Sequence, residues 1–126
     1  MSRVFIALGL LAAIVALSIC SLLTFIGIKE DVTLQMDELD TLIEAEDYEA
    51  LTRECFRVSE EWQEKEHTLI RFIRHQELDE VTGTMTRLPM LAKYRDIGEL
   101  AAEVNHIRIL LHHILDSEIP YPRNVF

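Results

Sequence analysis

Histidine is the residue type in this chain that most readily suggests metal or proton chemistry. Five histidines occur among 126 residues, and one of them, His75, is followed by Glu77 and Asp79. A helix through this segment would place Asp79 on the same face as His75, four residues earlier. A zinc site needs three or four converging ligands, so this cluster is an incomplete metal candidate, and solvated or helix-capping histidines are the simpler interpretation. We predict no bound metal and no cofactor.

The cysteines and the familiar catalytic motifs give no sign of an active site. Cys20 lies inside an apolar run and Cys55 lies on a helical stripe, so we expect no disulfide within the chain, and only Cys20 could link two chains. The sequence contains no glycine-rich phosphate loop, no His-Glu-x-x-His and no Gly-x-Ser-x-Gly. We therefore predict that the protein is not an enzyme.

The elements that would position any site begin with an apolar segment near the amino terminus. From Val4 to Ile28 the sequence has no charged residue, and as a helix it would extend about 37 Å, enough for a hydrocarbon core of about 30 Å. The alternative is a cleaved export signal, whose apolar region is only about 7 to 15 residues long. A lipoprotein signal at Cys20 is disfavoured because Ile19 is too bulky for the position before the modified cysteine. We predict an uncleaved transmembrane anchor over residues 1–29, with the lipid bilayer as a partner.

Basic residues at the two ends of the anchor set its expected orientation. Arg3 and the terminal amine lie on one side, whereas Lys29 is followed at once by Glu30 and Asp31 on the other. The positive-inside rule then favours a cytoplasmic amino terminus. We expect a single-pass protein of the cell membrane, with its carboxyl-terminal domain outside the cytoplasm.

Small residues recur along one face of the anchor at spacings of three and four. In lipid, close packing drives much of helix association, and small residues permit it. This small-residue stripe is a hypothesis for a homodimer, although small residues are also common in membrane helices generally. Its members are Gly9, Ala13, Ala16, Cys20, Thr24 and Gly27.

The remainder of the chain has helical periodicity and no strand pattern. No flexible linker follows the anchor, so its helix is expected to continue and to break at Glu46-Asp47, where Asp47 can cap the next helix. A further corner is expected at His75-Gln76. A kink or early stop is expected just before Pro89, and a last helix is expected to begin at Asp96.

Apolar residues at helical spacing define the expected core and the fold class. We predict an all-α protein in which one N-terminal transmembrane helix is followed by a small antiparallel bundle of three to four helices over residues 30–119. Two of these helices share a pattern at a constant shift of 49 residues, which a generic amphipathic helix could also produce. A proline-containing tail at 120–126 either folds back onto the bundle or is presented to a partner. The expected core consists of Tyr48, Leu51, Cys55, Val58, Trp62, Leu69, Ile73, Leu100, Val104, Ile107, Leu111 and Ile114.

Charge is concentrated in one part of the chain. Residues 30–66 hold 14 acidic and 3 basic side chains, whereas residues 67–126 hold 8 and 7. An acidic domain of this kind lacks the basic footprint of a nucleic-acid binder. A solvated face is the ordinary interpretation, and the alternatives are repulsion from anionic headgroups or docking of a basic partner. Because residues 30–66 follow the anchor directly, we expect this charge to lie close to the membrane.

The order of these features resembles a known family. Glu46-Asp47-Tyr48-Glu49-Ala50 opens a long helix, Trp62 follows, then His75-Gln76-Glu77-Leu78-Asp79-Glu80, and the sequence finishes with Asn124-Val125-Phe126. In this order the chain resembles domain of unknown function 4363, an uncharacterised family of small membrane-anchored proteins of Gram-positive spore-forming bacteria. The resemblance implies a bacterial source and a helical domain outside the cytoplasm, and it transfers no activity and no functional residue.

The sequence thus predicts a membrane-anchored interaction or assembly module without catalytic activity, with an unidentified protein partner. The alternative is an extracytoplasmic domain that senses a cation or pH through the acidic face or the His75 corner.

Overall fold

Four helices account for nearly all of the described chain. The computed structural model describes residues 1–118, with helices α1 (Ser2–Glu44), α2 (Tyr48–Leu69), α3 (His75–Lys93) and α4 (Ile97–Glu118). No strand occurs within these 118 residues. The predicted all-α class is confirmed, and the predicted tail at 120–126 lies outside the described residues.

Helix α1 has an exposed first half and a second half that is packed in the bundle. At about 1.5 Å per residue, its 43 residues extend about 64 Å. The apolar first half, residues 2–24, is exposed except that Ser21 and Leu22 are partly buried. In the second half Phe25, Val32, Met36 and Leu39 are buried. No turn separates the two halves, so the helix does continue from the apolar run into the bundle. Phe25 joins the core of the bundle although it lies inside the apolar run.

The second half of α1 packs with the other three helices as an antiparallel four-helix bundle. Helix α1 packs against α2 and α4, and α3 packs against the same two helices from the opposite side. The residues expected in the core are buried, except that Tyr48 is partly buried. The same continuous core also contains Phe25, Val32, Met36, Leu39, Leu78, Val81, Met85, Leu88 and Ala92.

Two of the three turns have the same geometry and lie 49 residues apart. Glu46 and Arg95 both adopt the left-handed backbone conformation, with φ of 57° and 60°. The amides of Asp47 and Asp96 then donate to carbonyls five residues earlier, at 3.2 and 2.9 Å, which satisfies the free end of each preceding helix. Asp47 also accepts a hydrogen bond from the amide of Ala50 at 3.3 Å, so the predicted cap is confirmed.

The 49-residue repetition extends further than the sequence pattern predicted. The helical hairpins α1–α2 and α3–α4 share both their turn geometry and the placement of their core residues. In this correspondence residue 26 of α1 matches His75, the first residue of α3. Three buried residues of α1 recur in α3 with the same type and the same burial: Val32 as Val81, Met36 as Met85, and Leu39 as Leu88.

The turn between α2 and α3 lies earlier than predicted. Helix α2 ends at Leu69, residues 70–74 form the turn, and His75-Gln76 already belongs to α3. The amide of Ile73 donates to the carbonyl of Leu69 at 3.0 Å, and the Ile73 side chain is buried. The apolar spacing in the sequence predicted that the helix reaches Ile73, because the buried Ile73 side chain in the turn continues that spacing.

The predicted early stop before Pro89 does not occur. Helix α3 runs through this residue to Lys93. Pro89 is buried together with Leu88 and Ala92, and burial of this apolar surface outweighs the one helical hydrogen bond that proline cannot donate.

Candidate functional site

The exposed half of α1 is the most distinctive surface of the protein. Large apolar side chains cover it on all sides between Val4 and Leu23. This stretch extends about 30 Å along the helix, which is the thickness of a bilayer core. Exposing so much apolar surface to water is unfavourable, whereas lipid accommodates it. Within the described residues, α1 is the one helix long and apolar enough to span a membrane.

The small-residue stripe faces away from the bundle. All six of its members are exposed, and a side chain added at Gly9 or Gly27 would meet no atom within 4 Å. The Thr24 hydroxyl donates to the carbonyl of Cys20 at 2.8 Å, so its polar group is satisfied inside the helix. The stripe is therefore open to another helix, and self-association through it stays a prediction.

The histidine corner does not bring three ligands together. His75 Nε2 lies 3.6 Å from Asp79 Oδ1, one helical turn further on, and both side chains are exposed. Glu77 turns towards α4, where its Oε1 accepts a hydrogen bond from the Ser117 hydroxyl at 3.3 Å. Between residues 1 and 118 no group of three histidine, cysteine or carboxylate side chains is arranged to hold a metal ion.

Arginine residues, which the sequence did not single out, organise the carboxylates of the bundle. Arg108 of α4 donates to Asp37 Oδ1 at 2.7 Å and to Asp40 Oδ2 at 2.5 Å, both on α1. Partial burial of the guanidinium opposes its charge, but the bonds to Asp40 and Asp37 outweigh this effect and raise the pKa of Arg108. This pairing fastens the last helix of the bundle to the helix that carries the apolar half.

Two other arginines connect the helices inside each hairpin. Arg57 of α2 contacts Glu61 at 2.6 Å and lies 3.8 Å from Glu38 of α1. Arg87 of α3 lies 3.0 Å from Glu103 of α4. Seven of the 22 carboxylates thus lie within 4.0 Å of one of these three arginines. Such largely exposed pairs add little stability individually, but they fix the relative positions of the helices.

The acidic segment 30–66 extends along the whole bundle and is not confined to the end near the apolar half of α1. It leads away along α1 and returns along α2, so the turn at Glu46 lies about 30 Å beyond Phe25. Its carboxylates are distributed over the whole length of the bundle. Part of this charge lies at the end near the apolar half of α1 and part at the far end, and binding of a charge-seeking partner close to the membrane stays a prediction.

A groove of about 360 Å³ marks the junction between the exposed half of α1 and the bundle. Leu17 and Phe25 of α1 line one wall, and Phe72 and Ile73 from the turn 70–74 line the other, with Glu118 of α4 beside them. This turn therefore lies level with the last part of the apolar half of α1. The Ile-Arg-Phe-Ile-Arg sequence of residues 70–74 is the signal by which the turn could have been singled out in advance.

Glu118 has an environment that favours its neutral form. Burial raises the pKa of its carboxyl, the nearby charge of Glu77 raises it further, and Arg74 acts in the opposite direction. Glu77 Oε2 is buried without a hydrogen-bond partner among the described residues. Since the folded-state pKa of Glu118 is raised, the folded protein is stabilised by protonation at low pH, and this stabilisation is lost as pH rises through the folded pKa.

Replacing Glu118 by glutamine is expected to raise the melting temperature at pH 7, because the variant carries no charge into this environment. Near pH 4, where the wild-type carboxyl is largely protonated, the wild type and the variant should have the same melting temperature. Thermal unfolding followed by circular dichroism at both pH values measures this. Glu60→Gln, on an exposed part of α2, is the matched control and should leave the melting temperature unchanged at both pH values. Equal melting of wild type and Glu118→Gln at pH 7 would contradict the prediction.

Cys55 is expected to be chemically silent in the folded protein. Burial, and then the charge of Glu54, raises the pKa of its thiol to about 12. Because the thiolate is the reactive species, maleimide at pH 8 should label Cys55 only after the bundle is unfolded. A Cys20→Ala background removes the other thiol. Phe56→Cys in that background, one residue along and 41% exposed, should react without denaturant; equally fast labelling of Cys55 would show that this core is open.

The fold and its surfaces define a class: an all-α protein whose first helix is both a candidate membrane span and a helix of the bundle. The chain belongs to the family described as Domain of unknown function (DUF4363), which it matches over residues 22–125. The match begins close to Phe25, the first buried residue, and so includes the bundle and its junction with the apolar half. No curated protein and no solved structure matches the chain.

Proposed function

We propose that the protein is a single-pass, non-catalytic membrane module that presents its helical bundle to a protein partner or to a second copy. The observation that carries this proposal is α1, an unbroken helix whose first half is apolar and largely exposed and whose second half is part of the bundle core. A flexible tether would leave the bundle free to move. A continuous helix instead holds it at a set height and orientation, which suits a module that meets its partner at a defined distance from the membrane.

The proposed orientation places the bundle outside the cytoplasm. Arg3 and the amino terminus precede the apolar half, and the acidic bundle follows it. The positive-inside rule supports this arrangement. The resemblance to membrane-anchored proteins of Gram-positive bacteria supports a bacterial cytoplasmic membrane as the setting.

The far end of the bundle offers contacts suited to a partner. Met90 and Tyr94, both exposed, line a cavity of about 280 Å³ beside the turn between α3 and α4, together with Arg87. Methionine, tyrosine and arginine are enriched at protein interfaces because they combine large contact area with polar groups. This end lies opposite the apolar half of α1, so in an anchored protein it points away from the membrane.

Photo-crosslinking in intact membranes tests the proposed module. A benzophenone side chain in place of Tyr94 is expected to give one discrete adduct, identified by mass spectrometry as a second copy or a defined partner. The Met90→Glu substitution beside it should abolish that adduct. The same probe at Leu34, which is also well exposed but lies on the side of α1, is the control for non-specific crosslinking. Absence of a discrete adduct at Tyr94, or equal adducts at the two positions, would contradict the proposal.

A pH-sensing role has one supporting observation, the raised pKa of Glu118 beside Glu77. If Glu118 controls such a response, the Glu118→Gln variant should lose the pH dependence of partner crosslinking while it keeps the crosslink itself. A crosslink with the same pH dependence in both proteins would exclude this role for Glu118.

A further inference from the structure

The turn 70–74 occupies the place where the bundle meets the membrane, provided that α1 spans the bilayer as proposed above. Phe72 and Ile73 line the junction groove with Leu17 and Phe25 of α1. The 49-residue repetition gives the same height independently, because residue 26 of α1 corresponds to His75, which follows the turn directly.

The length of the exposed apolar segment sets where the hydrocarbon core ends. A core of about 30 Å that begins at Val4 ends close to Leu23. The turn 70–74 shares a groove with residues between Ile14 and Phe25 of α1 and corresponds by the 49-residue shift to residues 21–25, so it lies at the boundary between the acyl chains and the headgroup layer.

The side chains of the turn match that layer. Ile70 is 43% exposed, Phe72 is partly exposed, and Arg71 and Arg74, which lie before and after Phe72, are both exposed. Arg71 has no hydrogen bond and no ion pair within residues 1–118, whereas Arg74 shares its charge with Glu118. No carboxylate lies within the turn itself. Arginine recognises phosphate through paired N–H donors, and apolar side chains beside it are stabilised by the adjoining acyl chains.

The turns at the other end of the bundle have a different composition. One contains Glu46 and Asp47, and the other contains Tyr94, Arg95 and Asp96, so each has a carboxylate that the turn 70–74 lacks. A purely water-facing role would allow similar residues at both ends. The combination of arginine with exposed isoleucine and phenylalanine occurs at the end that the anchor holds against the lipid.

We propose that the turn 70–74 binds the membrane surface, with Arg71 contacting the headgroup phosphates of anionic phospholipids while Ile70 and Phe72 enter the outer acyl region. Arg74 assists, although Glu118 offsets part of its charge. This contact is a second attachment besides α1. It fixes the rotation of the bundle about the axis of α1, which a single spanning helix leaves free, and so determines which face of the bundle a partner meets.

The test uses the full chain reconstituted into vesicles of phosphatidylcholine and phosphatidylglycerol. A nitroxide spin label is attached at Ile70→Cys in a Cys20→Ala background, where Cys55 is buried and stays unlabelled. Collisions with oxygen, which concentrates in lipid, are compared with collisions with a water-soluble nickel chelate. Labels at Leu11→Cys and Tyr94→Cys mark the bilayer interior and the far end of the bundle.

The label at residue 70 is expected to collide preferentially with oxygen, as the label at residue 11 does, while the label at residue 94 collides preferentially with nickel. If residue 11 is in lipid but residue 70 behaves like residue 94, the membrane-surface site is refuted and the anchor stands. If residue 11 is itself in water, the anchoring function fails, and the site fails with it.

The role of the phosphate is tested by charge. Arg71→Gln, or vesicles of phosphatidylcholine alone, should increase nickel collisions at residue 70 by about twofold or more, because anionic lipid no longer holds the turn. Arg53→Gln, an exposed arginine of α2 elsewhere on the bundle, should have no effect. Equal effects of both substitutions, or no effect of Arg71→Gln, would overturn the assignment to phospholipid. Release of the turn by inorganic phosphate would instead assign the arginine to a soluble anion.

Discussion

The double substitution Leu11→Arg/Ile14→Arg is expected to release the protein from the membrane. These side chains are 57% and 61% exposed near the middle of the apolar half of α1, so both charges would enter hydrocarbon. Exchanging leucine or isoleucine for arginine at the centre of a spanning helix costs about 3 kcal/mol each, or about 6 kcal/mol together. This corresponds to about four orders of magnitude in partitioning. The measurement is the fraction of protein that remains in the membrane pellet after alkaline carbonate extraction.

The matched control places the same two charges in the other half of the same helix. Leu34 is 66% exposed, more than Leu11, and Thr41 is also exposed, but both lie on the bundle. The Leu34→Arg/Thr41→Arg variant should stay in the membrane pellet like the wild type. If both double variants stay in the pellet, α1 is not the anchor. If both leave it, the substitutions act through misfolding and not through the lipid-facing surface.

Truncating Trp62 to alanine is expected to destabilise the bundle by about 3–5 kcal/mol, because it leaves a large cavity in the core. Trp62 is 1% exposed, and its indole N–H donates to the Thr82 hydroxyl at 2.9 Å across the interface of α2 with α3. A domain of this size has a total unfolding free energy of about 5–15 kcal/mol, so the variant should unfold at a much lower urea concentration. Far-ultraviolet circular dichroism of the full chain in detergent micelles follows the transition.

Two further variants separate burial from hydrogen bonding at this position. Phe56→Ala removes an aromatic side chain from the exposed face of the same helix and should change the unfolding free energy by less than about 1 kcal/mol. Thr82→Val keeps the shape of its side chain but removes the acceptor of the indole bond, at an expected cost of about 1–2 kcal/mol. Equal stability of the Trp62→Ala and Phe56→Ala variants would contradict the placement of Trp62 in the core.

Local chemistry explains why several elements could be predicted. A run of apolar residues long enough to cross a hydrocarbon core of about 30 Å can be recognised within one segment of the sequence. Asp47 caps α2 through a bond to Ala50, three residues away, so the signal and its effect lie in one short segment. The stripe that contains Leu51, Val58 and Trp62 repeats with the helical period, and these residues are buried because that period places them on one face.

Contacts between distant segments could not be predicted in the same way. Arg108 binds Asp37, 71 residues away, and nothing in either local sequence selects that partner. Glu77 turned out to face Ser117 and not to join His75 and Asp79, because the helix that packs beside it decides which way a half-buried carboxylate turns. Pro89 stays inside α3 because Leu88 and Ala92 beside it are buried in the core, an effect that intrinsic helix propensity does not include.

The sequence by itself determined the apolar half of α1, the helical class and the net acidity, since each depends on composition or on a period read within one segment. Only the tertiary structure decided which segments lie next to the apolar half of α1. Because α2 runs antiparallel to α1, the acidic segment that follows the apolar half in sequence extends about 30 Å away from it and then returns. The turn 70–74, with its arginines and exposed apolar side chains, is brought to the level of Leu17 and Phe25. In an antiparallel bundle, order along the chain does not give distance from the candidate membrane-spanning segment.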